Sequence, residues 1–305
     1  VISSATAISK VIQKNQIILI ESTCPVGTTR KIASLIENIT NLSQKDFSVA
    51  YCPERVLPGN ILSELINNDR VVGGISETDS LKAKSFYKTF CKGEVHETKA
   101  ETAELVKLTE NSYRDVNIAF ANELSIICSS LKIDVSELIN LANHHPRVNI
   151  LNPGAGVGGH CIAVDPWFIV SQFPDDAKLI KSARFVNNYK TDWIIQKIKE
   201  KCESIILTKN EPLKVGCMGI SFKPNVNDLR ESPALKITLA LSKIKNIKIY
   251  VCDPNFKNHN EFEIHSIEKT IENCDLFVFL VAHKEFKNID LDNLNILDFC
   301  NVKTL

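Results

Sequence analysis

Cys161 stands at a place in the chain where a thiol could act as a nucleophile. It directly follows the run Gly154-Ala155-Gly156-Val157-Gly158-Gly159-His160, and Asp165 comes four residues after it. A cysteine at the end of a flexible loop is accessible, and an accessible thiol is reactive when its thiolate form is favoured. The same position also suits an inert loop cysteine, so the local sequence leaves both alternatives open.

The glycine run before Cys161 matches the pattern G-x-G-x-x-G, but its context is not that of a dinucleotide site. Such a site needs a buried strand before the run and a helix that opens directly from it. Here residues 149–153 precede the run, and the next helical pattern begins only at Asp165-Pro166. Glycine allows close approach of the backbone and leaves N–H donors free. We therefore expect a cradle for a substrate phosphate or sugar.

Other polar residues occupy positions that suit a site without requiring one. Lys107 and Asn111 are four residues apart in a helical stretch, so they share a helix face, although this spacing alone favours an ordinary solvated face. Thr23 and Glu54 each follow a short apolar stretch with strand character. Ligands of open α/β sheets bind beyond the carboxyl ends of the strands, where these two residues are expected.

A second polar segment, residues 222–233, joins a predicted strand to a predicted helix. Ser232 followed by Pro233 fits an N-cap with proline in the first helical turn. Lys223 and Arg230 could hold phosphates, and the helix N-terminus would add positive potential. A surface cluster of charges explains the same residues equally well.

The composition excludes several classes of protein. A length of 305 residues suggests two or three domains, and equal numbers of basic and acidic residues, 36 of each, do not fit a nucleic-acid binder. No apolar run reaches the length of a membrane span and no signal peptide is visible, so a cytoplasmic location is the default expectation. The ten cysteines contain no C-x-x-C pair, which argues against a zinc ribbon; all except Cys161 are interpreted as core residues.

The elements that must position these residues follow an α/β, then all-α, then α/β order. Short apolar strands are predicted at residues 16–21, 47–51 and 71–74, with helices at 28–38 and 77–90. Residues 101–132 and 178–203 have helical spacing, and strand–helix alternation returns after the second of these stretches. This alternation predicts βαβ units with mostly parallel sheets.

Five ordered motifs in this chain resemble the UDP-glucose/GDP-mannose dehydrogenase family. They are Ser22-Thr23-x-Pro25-Val26-Gly27-Thr28, Pro53-Glu54-Arg55, Glu104-Leu105-x-Lys107-x-x-x-Asn111, Gly158-Gly159-x-Cys161-x-x-x-Asp165, and Phe222-Lys223 with Asp228-x-Arg230-Glu231-Ser232. The resemblance implies an α/β fold with two Rossmann-like parallel-sheet domains joined by a helical dimerisation domain. The expected domains are part of an NAD-binding domain at 1–99, the helical domain with the cysteine loop at 100–206, and a UDP-sugar-binding domain at 212–305.

The resemblance also implies an activity, the four-electron oxidation of a sugar C6 alcohol to a carboxylate with NAD. Cys161 would form a thiohemiacetal and then a thioester, because a thiolate is a strong nucleophile and a good leaving group. Lys107 would stabilise the oxyanion and favour the thiolate. The remaining catalytic residues implied by the family are Asn111 and Asp165, which would orient the reacting oxygen and water, Glu54 as general base, and Thr23 as its helper in positioning water.

Binding contacts are implied by the same resemblance. Arg230 matches a contact to the cofactor phosphate, and Thr23 and Glu54 are expected on the cofactor side. Arg147 matches an arginine that reaches the substrate of the partner subunit, which implies a homodimer. The expected contacts to the nucleotide sugar are Phe222, Lys223, Ile150, Asn152, Gly154 and Gly158. Neither a metal nor a nucleic-acid or membrane partner is expected.

The branch of the family can be narrowed from two features. The run at residues 159–169 resembles the branch that oxidises UDP-N-acetyl-D-mannosamine, which implies a role in surface polysaccharide biosynthesis. The UDP-glucose branch has a carboxylate where this chain has Pro58, so UDP-glucose is not the expected substrate. Oxidation of UDP-N-acetylglucosamine is the main alternative.

Family members begin with a strand, a GxGxxG turn and a helix, and the present sequence contains no such segment. We therefore expect that the chain starts inside the cofactor domain and that alone it binds NAD weakly or not at all. A truncated, catalytically silent dimer that still binds nucleotide sugar is the competing hypothesis.

Overall fold

The computed structural model describes residues 1–56, 60–209, 211–292 and 294–302. Pro58, which bears on the expected substrate, lies outside the described residues. The chain forms two compact units. The first comprises Val1–Asn111 and Trp167–Pro174, and the second comprises Ser112–Pro166 and Asp175–Leu305.

The first unit is built on a four-stranded sheet. Its elements are α1 (Ile2–Ile8), β1 (Ile17–Ile20), α2 (Thr28–Ile39), β2 (Ser48–Tyr51), α3 (Ile61–Asn67), β3 (Arg70–Gly74), α4 (Glu77–Tyr87), β4 (Val95–Lys99) and the start of α5 (Ala100–Leu131). The strand order is β1-β2-β3-β4, with β1 parallel to β2 and β3 parallel to β4. Only the β2–β3 pair among these is antiparallel, so the mostly parallel sheet is confirmed with one reversal.

The core of the first unit lies between α2 and the strands. Ile32, Ala33 and Ile36 recur at the spacing of one helix face and are buried. They pack in one cluster with Ile18 and Ile20 of β1. Burial of this apolar face is what fixes α2 against the sheet and sets the turn between β1 and α2.

The second unit combines helices with a second four-stranded sheet. Its elements are the remainder of α5, α6 (Val135–Ala142), the start of α7 (Asp165–Gln172), α8 (Lys178–Ile206), β5 (Leu213–Met218), α9 (Pro233–Leu241), β6 (Ile247–Cys252), α10 (Ile267–Asn273), β7 (Leu276–Phe279), a 3₁₀ helix (Lys284–Asn288) and β8 (Ile296–Asp298). The strand order is β6-β5-β7-β8 and every pairing is parallel. A parallel sheet of this order is the Rossmann-like arrangement that the family resemblance implied.

Helix packing closes the second core. Ile194 and Ile198 of α8 are fully buried against β5 and α9. The predicted start of α9 is confirmed, because the Ser232 hydroxyl accepts a hydrogen bond from the Leu235 N–H and Pro233 occupies the first turn. Within the described ranges, no helix combines the length and the apolar character that crossing a membrane would require.

Two strands, β4 and β8, were not predicted from the sequence. The residues of β4 read Val-His-Glu-Thr-Lys, and only Val95 among them is buried. An edge strand with one solvated face lacks the apolar run that marks the other strands. By contrast, the predicted helix at 101–132 is observed at Ala100–Leu131.

Candidate active site

Two of the predicted catalytic residues lie at the carboxyl edge of the first sheet. Thr23 follows β1 and Glu54 follows β2, and both side chains are half-buried. The strands are parallel, so their carboxyl ends lie on the same edge. One carboxylate oxygen of Glu54 accepts the N–H groups of Arg55 at 2.7 Å and Val56 at 3.0 Å, which fixes the side chain to its own loop.

The turn that carries Thr23 is anchored by Glu104 of α5. The Glu104 carboxylate is fully buried. It accepts the Gly27 N–H at 2.6 Å, and the N–H and hydroxyl of Thr29 at 2.7 and 2.6 Å. Gly27 itself gives α2 no side-chain cap, so a negative charge from another helix caps α2 where the helix dipole is positive.

Lys107 and Asn111 lie on α5 in the turns that follow Glu104, and both side chains are half-buried. Their spacing places them on one helix face, as predicted. A second loop is tied to the same turns, because the guanidinium of Arg55 lies 2.6 Å from the carboxylate of Glu110. The first unit thus holds the Thr23 loop and the Glu54 loop against the part of α5 that carries Lys107 and Asn111.

The glycine run before Cys161 packs closely against other segments of the same polypeptide. A Cβ atom at Gly158 would lie 2.5 Å from the carbonyl oxygen of Glu231, and one at Gly156 would lie 2.5 Å from the hydroxyl of Thr191. Gly159 has φ +84°, and a Cβ there would lie 2.9 Å from the ring of Phe222. Glycine is required here because any side chain would displace backbone or a packed ring.

The N–H groups of this loop are partly engaged within the protein. The Gly159 N–H donates to the Arg230 carbonyl at 2.9 Å, and the Gly154 N–H donates to the side-chain oxygen of Asn122 at 2.9 Å. The expectation that the glycines offer free N–H donors is therefore wrong at these two positions. The physical reason is that a loop packed against buried neighbours must satisfy its donors inside the protein.

Cys161 and Asp165 belong to one turn at the start of α7. The Cys161 carbonyl accepts the N–H of Val164 at 3.0 Å and that of Asp165 at 2.8 Å. Cys161 is half-buried, whereas Asp165 is buried. Cys161 and Asp165 are therefore one helical turn apart, as their spacing of four residues predicted.

A cation lies near the thiol of Cys161. The pKa of Arg230 is raised, mainly because Asp228 pairs with its guanidinium and in smaller part because of the charge of Cys161. Arg230 is exposed, and its Nη2 lies 2.6 Å from the Asp228 carboxylate.

The remaining cysteines have different surroundings. Seven of the ten cysteines are buried, and Cys161, Cys274 and Cys300 are half-buried. Burial is the largest cause that raises the pKa of Cys274 to about 12, and burial also raises the pKa of Cys300. These surroundings are those of inert thiols, in line with their interpretation as core residues.

The segment at residues 222–230 packs against the glycine run that precedes Cys161. The Phe222 N–H donates to the Asp228 carbonyl at 3.1 Å, and the Lys223 ammonium lies 5.5 Å from the centre of the Phe222 ring. Lys223 is exposed and Phe222 is half-buried. The structure therefore brings Phe222, Lys223 and Arg230 together with Gly158 and Cys161 in the second unit.

The loop before the glycines is shaped by Asn143. Its side chain accepts the Ile150 N–H at 2.7 Å and donates to the Ile150 carbonyl at 3.1 Å. Arg147 and Asn152 are exposed on the same loop. Their exposure leaves both side chains accessible to a ligand.

Sequence reasoning missed the buried polar residues that hold the glycine loop. Asn122 of α5 accepts from Gly154 and donates to Asn187 of α8 at 2.9 Å. Asn187 in turn donates to the Asp115 carboxylate at 2.8 Å, which also pairs with Arg184 at 2.7 Å. The only signal for these residues was polar side chains on the apolar stripe of a long helix, where an uncompensated polar group would be costly.

Comparisons with known proteins agree with this arrangement. The UDP-glucose/GDP-mannose dehydrogenase family matches the chain in its NAD binding domain at residues 1–91, its central domain at 101–189 and its UDP binding domain at 216–302. UDP-N-acetyl-D-mannosamine dehydrogenases from Campylobacter jejuni and from Escherichia coli K12 are each 47% identical to it. The matches cover 97% and 96% of this chain and 75% and 74% of those proteins.

A solved structure agrees as well. UDP-D-ManNAc dehydrogenase from Pyrococcus horikoshii superposes with a TM-score of 0.89 at 37% identity, covering 98% of this chain and 72% of that one. The parallel sheets, the cysteine loop and the three matched domains lead to the same conclusion. This chain belongs to the UDP-glucose/GDP-mannose dehydrogenase family of NAD-dependent oxidoreductases that act on UDP-sugars.

Proposed function

We propose that this chain oxidises UDP-N-acetyl-D-mannosamine to UDP-N-acetyl-D-mannosaminuronate, with Cys161 as the nucleophile. The observation that carries the proposal is the position of the Cys161 thiol. It is half-buried, one turn from Asp165, and tied through Gly159 to the segment that holds Phe222 and Lys223. The substrate is proposed from the names of the relatives that match almost the whole chain.

The chemistry follows from the thiol. The Cys161 thiolate adds to the C6 aldehyde that the first oxidation yields, and the resulting thiohemiacetal holds the carbon for the second oxidation. Removal of a hydride from that carbon leaves a thioester on Cys161. Water attacks the thioester carbonyl, the C–S bond breaks, and the sugar leaves as a carboxylate while the thiol is regenerated.

A bound NAD would supply the hydride acceptor for both oxidations. The first sheet fits such a cofactor, because Thr23 and Glu54 lie at the carboxyl edge of parallel strands. These two residues would orient the nicotinamide side and the hydrolytic water. Arg230 is proposed as the phosphate contact, and it would have to share its guanidinium with Asp228.

The roles of the other predicted residues are proposed from the family resemblance. Lys107 would stabilise the oxyanion of the tetrahedral intermediates, because an ammonium group favours developing negative charge. Asn111 would orient the reacting oxygen by its amide, and Asp165 the attacking water. Glu54 would accept a proton from that water. The nucleotide sugar would contact Phe222, Lys223, Ile150, Asn152, Gly154 and Gly158.

The proposed domain division is an NAD-binding domain at 1–99, a helical domain at 100–206 and a UDP-sugar-binding domain at 212–305. The ranges of the three family matches support it. A cytoplasmic location is proposed as well. None of the ten cysteines, each within the described part of the chain, is in a disulfide, as is usual in a reducing compartment.

The proposed homodimer is supported by an apolar stripe on α5. Tyr113, Phe120 and Ile127 are seven residues apart, are exposed, and lie on one helix face. Exposed apolar stripes of this kind mark interaction surfaces. Arg147, also exposed, would reach the substrate of the partner subunit.

Replacement Phe120→Glu should convert a dimer to a monomer in size-exclusion chromatography with light scattering, and a monomeric wild-type protein would contradict the proposal.

The substrate is tested with the protein expressed from its complete gene. UDP-N-acetylmannosamine, UDP-N-acetylglucosamine and UDP-glucose are compared for NADH formation and for the sugar acid by mass spectrometry. We expect the highest kcat/KM with UDP-N-acetylmannosamine. A higher value with UDP-N-acetylglucosamine would assign the alternative substrate, and binding of UDP-sugars without NADH formation would favour the silent dimer.

The nucleophile is tested by Cys161→Ala, with Cys274→Ser as the control. Cys274 is another half-buried cysteine of the second unit. We expect Cys161→Ala to abolish formation of the acid, whereas Cys274→Ser retains it. Substantial acid formation by Cys161→Ala would overturn the assignment.

A further inference from the structure

A buried polar cluster lies at the carboxyl edge of the second sheet. Ser221 follows β5, Asp253 follows β6 and His283 follows β7, and these three strands are neighbours in the sheet. Ser221 and His283 have no exposed surface, and Asp253 is 2% exposed. The proposed reaction assigns no role to this cluster.

Asp253 is the centre of the cluster. One of its carboxylate oxygens accepts the N–H of Ile220 at 2.8 Å, and the N–H and hydroxyl of Ser221 at 3.1 and 2.7 Å. The same oxygen lies 3.2 Å from Nε2 of His283. A carboxylate that receives this many donors is held rigidly, and it fixes the point where the chain leaves β5.

The ring of His283 joins this cluster to the polar segment after β5. Its Nδ1 accepts the backbone N–H of Asn225 at 3.1 Å. A backbone N–H can only donate, so Nδ1 is an acceptor and the proton of the neutral ring is on Nε2, which faces Asp253. Asn255 donates to Nδ1 from the other side at 3.0 Å. The orientation of the ring is therefore set on both edges.

Asn225 is itself in an unusual conformation that needs support. Its φ is +60°, which is the left-handed region that non-glycine residues seldom adopt. Its side chain accepts the Lys284 N–H at 3.0 Å. Two hydrogen bonds, one that Asn225 donates and one that it accepts, thus hold this turn against the residues around His283.

The clamped segment contains the predicted nucleotide-sugar contacts. Phe222 and Lys223 lie between Ser221 and Asn225 in the chain. Further along, the Arg230 carbonyl accepts the Gly159 N–H beside Cys161. A shift of the turn at Asn225 would move Phe222 and Lys223 first, and the cysteine loop only through Arg230.

We infer that Asp253 and His283 are positioning residues for nucleotide binding, which hold residues 221–225 in the conformation that receives the nucleotide half of the substrate. The inference rests on the proposed function, because it takes Phe222 and Lys223 as nucleotide contacts. Apolar residues of similar volume often stabilise a core as well as a buried polar cluster does, so stability alone does not account for these residue types. The arrangement of the cluster is explained by the conformation in which it holds residues 221–225.

The test compares two replacements of His283 in the protein expressed from its complete gene. The oxygen of asparagine can take the place of Nδ1 and accept the Asn225 N–H, whereas the amide of glutamine reaches only the position of Nε2. UDP is the probe, and its Kd is measured by calorimetry. We expect His283→Gln to weaken UDP binding about tenfold, the worth of one well-placed hydrogen bond, and His283→Asn to stay within about threefold of wild type.

Kinetics separate positioning from general damage. His283→Gln should raise KM for the UDP-sugar, while kcat changes less than about threefold, because the cysteine loop is linked only indirectly. Thr270→Val is the control, since Thr270 is equally buried in the same unit and its hydroxyl donates at 2.8 Å to the carbonyl of Ser266, the N-cap residue of α10. It should leave the Kd for UDP unchanged.

The outcomes are distinguishable. Equal UDP affinity in wild type and His283→Gln, or equal loss in both His283 variants, would overturn the inference and leave the proposed function intact. A wild type that binds UDP but oxidises no UDP-sugar would overturn the proposed function, and the comparison of UDP affinities would remain valid. If His283→Gln does not fold, Asn255→Asp replaces the donor to Nδ1 by an acceptor, and unchanged UDP affinity in that variant would equally overturn the inference.

Discussion

The carboxylate of Glu104 lies 2.6 Å from the hydroxyl of Thr29 and 2.7 Å from its backbone nitrogen. These two residues are 75 positions apart in the chain. Through this contact the first turn of α2 is capped by a side chain of α5. The turn with Thr23 and the turns with Lys107 and Asn111 therefore share one anchor.

Replacement Glu104→Gln should lower both stability and catalysis. Glutamine has a single oxygen, so its NH2 group would face a backbone N–H that now donates to Glu104. We expect Tm to fall by several degrees and kcat to fall about tenfold or more, because small displacements of catalytic groups are costly. Thermal unfolding and steady-state NADH formation measure the two effects.

The matched control for Glu104 is Asp79→Asn. Asp79 is also a buried carboxylate at a helix start, where it accepts the N–H and hydroxyl of Ser76 at 3.0 and 2.8 Å in the capping box of α4. This variant should lower Tm but leave kcat unchanged. If Glu104→Gln lowers Tm and keeps the wild-type kcat, Glu104 serves stability alone.

Replacement Gly158→Ala should destabilise the second unit. The added Cβ would lie 2.5 Å from the Glu231 carbonyl oxygen, and overpacking against backbone costs about 2 kcal/mol. Gly154→Ala is the comparison for stability, because a Cβ there meets nothing within 4 Å. Urea unfolding should show a lower midpoint for Gly158→Ala only, and equal midpoints for both variants would refute this account of the loop.

Cys161 should be the first cysteine alkylated by iodoacetamide at mildly alkaline pH. Among the three half-buried thiols, burial raises the pKa of Cys274 to about 12 and also that of Cys300, so both stay protonated. The other seven cysteines are buried. Peptide mass spectrometry after brief labelling checks the order, and saturating UDP-sugar should slow the reaction at Cys161. Earlier labelling of Cys274 or Cys300 would contradict the prediction.

Asp253 should stabilise the fold at neutral pH and lose this effect in acid. Burial alone would raise the pKa of Asp253, but hydrogen bonds from His283 and from backbone N–H groups outweigh it and hold the pKa at about 2. Because the pKa of Asp253 is lower in the folded state than in the unfolded state, where it is near 3.8, the ionised carboxylate stabilises the fold at pH values above about 4. This stabilisation is lost as the pH falls from about 4 to 2. The expected size is about 2 kcal/mol.

The measurement for Asp253 is chemical unfolding of wild type and Asp253→Asn from neutral pH downward. The difference in unfolding free energy between them should be largest at neutral pH and should shrink below pH of about 4. A difference that is constant with pH would show that the carboxylate charge is not what stabilises the cluster.

The sequence predicted well those elements whose signal is local. The apolar stretches of β1, β2 and β3 and the long helical spacing of α5 and α8 were located to within a few residues, because hydrophobic periodicity is set by each segment itself. The polar edge strand β4 has no such period, and it was missed. Its pairing with β3 supplies what its own residues do not.

The candidate site was predictable in its residues but not in its supports. Cys161 and Asp165 could be paired from their spacing, because a single turn joins them. Glu104, Asn122 and His283 act on loops that are 32 to 77 residues away in the chain. Contacts of that kind depend on the tertiary fold, and a lone polar residue in an apolar pattern gives no indication of its partner.

The close packing of Gly156, Gly158 and Gly159 has a consequence for how this enzyme can diversify. None of these three positions accommodates a side chain, because a Cβ at each would lie within 2.9 Å of a neighbouring atom. These three positions therefore offer no side chain with which the loop could distinguish one sugar from another. A change of sugar preference therefore has to come from the other residues of the loop or from residues that border it, and a library randomised at the three glycines would mostly return destabilised proteins.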